Sequence, residues 1–523
     1  MNKIKIKKIV TLLLFISLLL TPILKVKAKE KSIESSLFKM NLDFFKTWKN
    51  TYSSQFKNTL EEWSVQYHRN EEDVSRKIVL DSKENIITAG YTARMDSDEI
   101  DFLTLKYDQD GNLLWDAVFN GGKNDYAWDI ALDSKDNIIL FGVNSSMYAE
   151  DISDLNITLF LVKYDEDGVE LWNKSIEIEE DGFPGGIAID SKDNIILTIG
   201  KGNLDSMAFF CHTVKMDKDG NELWNTTFTK DMLSIGFDVV VNKKDEIFVG
   251  GLVASFFGQG WFLSKYDPSG NLHWTQRYNM GNNLNDLEID EEGNIIIVGQ
   301  TFSVESNSTE WITIKCDKNG KLLWDYQFDG IYHESANDAA IDTNGNIFVL
   351  GTIFMEESYE HCILVFDPNG NELCMKKPSI DGSYLGITID SDNTLYATGV
   401  INNSDDFYNV DCYTCKFKDN TPPLVDSFSP EPGYLYLFNT QLFPFFEKTV
   451  VLGKITLCAS TTSSEDIEKV LFYVDSILQH TIESPPYEWT WNDKDFGWHQ
   501  IEIQVFDENA NINRETVRVF KIL

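Results

Sequence analysis

The chain has 523 residues and carries 45 Lys and Arg against 83 Asp and Glu, a formal charge of −38. A surface that acidic repels phosphate backbones and anionic lipid headgroups, which excludes nucleic acid as a partner. The length is about three to four times that of a typical domain, and 42% apolar with 13% aromatic residues fits a folded, sheet-rich protein and not a disordered one.

Residues Met1 to Lys8 carry four lysines, an apolar run follows from Ile9 to Leu24, and Val26-Lys27-Ala28 offers the small residues of a cleavage site. This order predicts a secretory signal over residues 1–28. The run falls short of the roughly 20 residues of a membrane span. Lys25 and Lys27 beside the cut leave an uncleaved N-terminal anchor as the alternative, the one membrane contact expected. Residues 29–523 are therefore expected to be extracellular, secreted or held at the cell surface, with 29–59 an N-terminal extension. Six Asn-x-Ser/Thr sequons (Asn144, Asn156, Asn173, Asn225, Asn307, Asn402) agree with export. The seven cysteines are scattered and read as small core hydrophobes. Cys412 and Cys415 lie three apart on a predicted strand and so point to opposite faces, which argues against zinc or redox use.

From residue 60 onward the chain repeats itself. Asp81-Ser-Lys-Glu-Asn85-Ile86-Ile87 recurs at Asp133, Asp190, Asn242, Asp290, Asp342 and Asp390, at intervals of 48 to 57 residues. Between these lies Lys-Tyr-Asp-x-x-Gly-Asn-x-Leu-Trp, as in Lys106 to Trp115, with later copies ending at Trp172, Trp224, Trp274, Trp324 and Cys374. Self-similarity at this period means a propeller or a solenoid. Each unit reads as four short β-branched and aromatic strands between Asn, Asp and Gly turns, which is a propeller blade. The seventh copy stops at Asn420 without its Leu-Trp, and that piece stands instead at Leu60-Glu61-Glu62-Trp63. The N-terminal strand is thus expected to complete the last blade, closing a seven-bladed ring over residues 60–420 and removing the open sheet edges.

Asp-x-x-Gly-Asn-x-Leu-Trp and Asp-x-x-x-Asn-Ile resemble the SBBP family of seven-bladed propeller repeats of secreted prokaryotic proteins, and the similar delta-60 repeat. The resemblance implies the fold over about residues 60–420 and no particular activity.

Composition changes at Thr421-Pro422-Pro423. Residues 421–523 read as about a hundred residues of alternating strands, the pattern of a β-sandwich. Gly433-Tyr-Leu-Tyr-Leu-Phe438, Val470 to Asp475, Pro485-Pro-Tyr-Glu-Trp489 and Gly497-Trp-His499 resemble the bacterial Ig-like modules that end many secreted prokaryotic proteins. That resemblance implies a spacer or adhesive unit. The expected fold class is all-β, a seven-bladed β-propeller followed by an Ig-like β-sandwich.

No catalytic motif stands out: there is no His-Glu-x-x-His, Gly-x-Ser-x-Gly or phosphate loop, and no catalytic residue or cofactor is assigned. The turns are not sialidase Asp-boxes, whose spacing differs, and the four propeller arginines (Arg69, Arg76, Arg94, Arg277) do not suit a three-arginine clamp. Quinoprotein repeats are also a poor match. Calcium is the one metal the turns invite, with Asp108, Asp110, Asp217 and Asp219 as candidate ligands. A calcium loop needs six or more oxygens, and here a strand begins within two or three residues, so plain turns are the preferred reading. The repeated lysines (Lys106, Lys163, Lys215, Lys265, Lys315, Lys416) are expected to pair with nearby acids, and the periodic tryptophans to pack between blades.

Variation among equal units marks surface free of fold constraint. The a–b and c–d turns repeat closely, whereas the b–c loops differ. Exposed aromatics there, Tyr148, Phe256, Phe257, Trp261 and Tyr359, are the candidate ligand contacts. The expected function is a non-enzymatic binding or adhesion protein recognising an extracellular protein or glycan through the variable-loop face. The alternative is an extracellular propeller enzyme acting on carbohydrate or peptide, which three or more acids, His or Arg converging at the central channel on that face would favour.

Overall fold

The computed structural model describes residues 58–522 except 60, 71, 95–98, 123, 146–156, 177–180, 204–207, 230–232, 256–257, 304–307, 329–332, 355–358, 379–381, 403–409, 418–422, 446–447, 463–466, 476 and 508–511. The expected signal and most of the expected N-terminal extension lie outside them. Every described element is a strand.

Two strands precede the repeats, β1 (Asn58–Thr59) and β2 (Glu61–Tyr67). The first repeat is β3 (Glu72–Leu80), β4 (Ile86–Arg94), β5 (Glu99–Tyr107) and β6 (Leu113–Phe119), antiparallel in chain order. The pattern returns in β7 (Asn124–Leu132) to β10 (Glu170–Ile176), β11 (Asp181–Ile189) to β14 (Glu222–Phe228), and β15 (Leu233–Val241) to β18 (Leu272–Tyr278). It returns again in β19 (Asn283–Ile289) to β22 (Leu322–Phe328) and β23 (His333–Ile341) to β26 (Glu372–Pro378). Then β27 (Gly382–Ile389), β28 (Leu395–Asn402) and β29 (Val410–Phe417) take β2 as their fourth strand, with Trp63 opposite Lys416. First strands pack on first strands around the circle, and β27 packs on β3. The sheets form a β-propeller.

The sequence explains each layer. The second strands, such as Ile86–Arg94, are covered on both faces and read as nearly continuous apolar runs. The outer strands, such as Leu322–Phe328, show one half-covered face and read as alternation. At each a–b turn the leading Asp caps its own loop. Asp133 Oδ1 accepts the Lys135 and Asn137 N–H groups at 2.9 and 3.0 Å, and Oδ2 accepts Asn137 Nδ2 at 2.8 Å. Asp136 in that turn sits at φ +60°, a position that the fifth and sixth repeats give to Gly293 and Gly345. These turns link around the ring: Ser82 N donates to Asp136 Oδ1, Ser134 N to Asp193 Oδ1 and Ser191 N to Asp245 Oδ1, all within 2.8–2.9 Å. The last turn reaches the first, Ser391 N donating to Glu84 Oε1 at 3.2 Å.

The repeated lysines pair with the turn acids as the sequence suggests. Lys106 meets Asp81 at 2.9 Å, Lys163 meets Asp133 at 2.7 Å, Lys215 meets Asp190 at 2.7 Å and Lys315 meets Asp290 at 2.9 Å, all buried. Burial alone would raise these carboxyls, but hydrogen bonds from the Asn and the Lys hold all four below the usual carboxylate range. The sixth repeat has Val365 in place of the lysine, and there burial pushes Asp342 up instead. The outer-strand tryptophans are half-covered and not fully buried as expected. Trp63, Trp115, Trp224, Trp274 and Trp324 lie against the c–d turn of the next sheet, where Trp115 Nε1 donates to Glu166 O and Trp224 Nε1 to Pro268 O, both at 3.1 Å, while Lys174 meets that turn in the third sheet. Cys412 and Cys415 fall in different apolar clusters, on opposite faces of β29.

The C-terminal unit is a sandwich. One sheet holds β30 (Leu424–Ser429), β34 (Ile455–Thr462) and β37 (Glu488–Trp491). The other holds β31 (Tyr434–Leu437), β32 (Thr440–Pro444), β33 (Thr449–Leu452), β35 (Ile467–Val474), β36 (Ile477–Ile482), β38 (Phe496–Asp507) and β39 (Ile512–Ile522). Val470, Phe472, Trp491, Ile503 and Val519 fill the space between them. This is an Ig-like domain.

Candidate pocket at the mouth of the central channel

The first strand of each repeat carries a β-bulge at one place. In β3, Ser75 faces Gly90 and Lys77 faces Ala89, so Arg76 is the extra residue. The same slip leaves Trp128 extra in β7, one of Gly185 and Gly186 in β11, and Phe237 in β15. It leaves Asn285 extra in β19, Asn337 in β23 and Leu385 in β27. A bulge re-aims a side chain, and here all of these residues line one cavity of about 160 Å3. Thr352 and Phe354 at the end of β24 (Ile347–Phe354) also line it, which places the cavity on the face of the variable b–c loops.

One residue further along each strand lies a charged layer. Its members are Lys77, Asp129, Asp238, Asp286 and Asp338, with Gly186 and Gly386 at the two remaining places. Lys77 Nζ spans the channel to Asp286 Oδ1 at 2.8 Å and Asp338 Oδ1 at 2.6 Å. The aspartates staple neighbouring sheets. Asp129 Oδ2 accepts Ile187 N, Asp238 Oδ2 accepts Leu287 N and Asp338 Oδ2 accepts Ile387 N, at 2.7–2.8 Å. Asp129 Oδ1 and Asp238 Oδ1 accept the N–H of the following residue in their own strands. Two residues deeper, Glu288 adds another carboxyl. Burial, and then the neighbouring acids, push Asp238 up to about 7 and Glu288 up to about 8, and burial holds Asp286 well above the usual range. Burial would lower Lys77, but Asp286 and Asp338 hold it well above the usual lysine value.

Arg76 stands above this layer. Its guanidinium lies 4.4 Å from the centre of the Trp128 ring and makes no hydrogen bond or ion pair with any described residue. Burial pushes it below its ordinary value, which Tyr91 and Asp129 offset only in part. His361 lines the cavity from β25 (Tyr359–Phe366), its Nδ1 3.1 Å from Thr352 Oγ1, and burial lowers it to about 4.

The sequence candidates fall elsewhere. Trp261 is a correction: it is fully buried on β17 (Gly258–Tyr266), against Gly281 and Gly299, because the strand starts three residues before it and turns its ring into the core. Tyr148, Phe256 and Phe257 lie outside the described residues, as does the side chain of Tyr359. Of the calcium candidates, Asp108 accepts Asp110 N, Asn112 N and Asn112 Nδ2, and Asp217 accepts the matching donors of Asp219 and Asn221. Those bonds lower both carboxyls and occupy them as turn caps. Among the described residues, His68, Asp73 and Asp411 bring ligand atoms within 4.8 Å of one another, as a metal would need. Their oxygens are already engaged: Asp73 Oδ2 takes Arg69 N and Asn70 N, Asp73 Oδ1 takes Thr92 Oγ1, and Asp411 takes Gln66 Nε2 and faces His68. These bonds fix the corner between β2 and β3.

A bacterial Ig domain model matches residues 447–503. A search of curated proteins finds no match. Among solved structures, the chain is similar to a streptogramin B lyase at 10% identity, covering 68% of this chain and 98% of that one with a TM-score of 0.44. It is also similar to a PL25 ulvan lyase at 10% identity, covering 66% and 95% with a TM-score of 0.43. The WD40 domain of Neurospora crassa Pan2 aligns at 11% identity over 65% and 88%, with a TM-score of 0.42. None of these likenesses bears on the chemistry of the pocket.

Proposed function

We propose that this chain is an exported or surface-held binding protein that takes an extracellular glycan or protein into the axial pocket of a seven-bladed propeller. In this reading residues 60–420 form the ring, with the SBBP type of repeat, and 421–523 form a spacer or adhesive module. The N-terminal signal pattern and the bacterial Ig match support export.

The observation that carries the reading is the bulge series. The backbone repeats the same slip in every unit while the half-buried side chain there changes from Arg76 to Trp128, Phe237, Asn285, Asn337 and Leu385. A purely structural position would repeat its residue, as the turn aspartates do. Arg76, His361, Asp129 and Asp238 do converge on this face, the arrangement that favours the enzyme alternative, but both oxygens of Asp129 and of Asp238 already accept backbone N–H groups, which suits staples better than proton carriers. The test is a glycan and protein-ligand array read alongside product release. Retained ligand without turnover supports binding, and cleavage of a bound glycan or peptide overturns it.

A further inference from the structure

We infer that the pocket takes the carboxylate of a uronic acid residue, with Arg76 as its anchor; this rests on the axial pocket being the binding site proposed above. Arg76 offers five N–H donors, and no described residue accepts one. The half-buried guanidinium keeps its donors free for a ligand in the cavity, and a planar oxyanion meets it with two parallel hydrogen bonds. The Trp128 ring covers one side of the guanidinium, and the cavity borders both residues. The neighbouring charges choose among oxyanions. The cavity already holds Asp129 and Asp238 beside Lys77, and the cost of taking a ligand out of water grows with its charge, so a monoanionic carboxylate is favoured over a dianionic phosphate.

The body of the ligand follows from the rest of the lining. Phe183, Phe237 and Phe354 offer flat apolar surface for the C–H faces of a sugar ring, and Asn337 and Ser383 offer polar edges for hydroxyls. At about 160 Å3 the cavity suits one residue and not an extended chain, being well under the roughly 300–1,000 Å3 of pockets for drug-sized ligands.

The experiment is calorimetric titration of the intact chain with glucuronate and galacturonate. Glucose, galactose, N-acetylphenylalanine and inorganic phosphate serve as comparisons, and Arg76→Gln and Arg76→Lys are titrated in parallel. The expected result is binding of a uronate at least tenfold tighter than its neutral parent sugar, lost in Arg76→Gln and partly kept in Arg76→Lys at unchanged melting temperature. If Arg76→Gln does not fold, the comparison of uronate with neutral sugar on the unaltered chain decides alone. Equal binding of neutral sugars, undiminished binding by Arg76→Gln, tighter binding of the amino acid or of phosphate, or no uronate binding would each overturn the inference. Neutral-sugar binding in the pocket would do so while leaving the proposed binding function standing.

Discussion

Trp63 and Gly111 meet across the join of the ring. A Cβ on Gly111 would stand 2.9 Å from Trp63 Cε3, and Trp63 Nε1 donates to the Gln109 carbonyl at 2.9 Å. Trp63 comes from the N-terminal strand that completes the last sheet, and Gly111 from a turn of the first, so this contact joins the two ends of the propeller. The same pairing recurs within the continuous chain between Trp115 and Gly168, Trp224 and Gly270, and Trp324 and Gly370. The glycine is thus required twice, once for φ +82° at the turn and once to clear the indole.

Loss of this join should cost more than its local contacts. Trp63→Ala should destabilise by about 3 kcal/mol, the lower end for a large aromatic because the ring is half-covered. Deleting residues 29–69 should lower the melting temperature far more than deleting 29–57, since Tyr67 and Arg69 also reach Asp116 on the first sheet. Equal melting temperatures for the two truncations, read by tryptophan fluorescence, would contradict the closure.

The buried Lys–Asp pairs make a second prediction, with a defined pH sense. Asp133 is held below the usual range in the fold, so its contribution is present above the unfolded carboxyl pKa and is lost as pH falls through the folded value. Lys163→Met should destabilise by about 3 kcal/mol at pH 7 by stranding a buried charge, and by clearly less near pH 3. Urea unfolding at both pH values measures this, and an equal loss at both would speak against the pairing.

The channel acids run the other way. Glu288 is pushed up to about 8, so the folded state holds a proton that the unfolded chain releases at lower pH. Stability from this group is therefore fullest below its unfolded value and declines as pH rises towards 8. Glu288→Gln should raise the melting temperature at pH 8 and leave it nearly unchanged at pH 4. A variant less stable than the parent at pH 8 would show that the carboxylate is compensated in the channel.

Much of the fold is legible in the residues. The period, the Asp turns, the Lys–Asp pairs and the displaced Leu60-Glu61-Glu62-Trp63 are all local patterns whose physical meaning does not depend on distant contacts. The pocket was harder to read because a bulge is a slip in register between strands, which no single segment displays. Yet a trace exists. Four residues before each leading turn residue stand Lys77, Asp129, Gly186, Asp238, Asp286, Asp338 and Gly386, and the position just before each is the varied one. The repeat register also carries the burial of Trp261. It stands four residues before Lys265, as Trp311 does before Lys315 and Phe102 before Lys106, and all three are fully buried. The third strand there runs further into the b–c connection than its Gly content suggests, starting at Gly258.

The central claim is that the bulge residues at the channel mouth carry recognition. The most direct measurement is a glycan and protein-ligand array probed in parallel with the unaltered chain, a Trp128→Ala, Phe237→Ala double variant, and a Ser82→Ala, Ser134→Ala control on the opposite face. The account predicts that the ligand bound by the unaltered chain is kept by the control and lost, by at least tenfold in affinity, in the channel-mouth variant at equal fold content. Equal binding by the channel-mouth variant and the unaltered chain would contradict it.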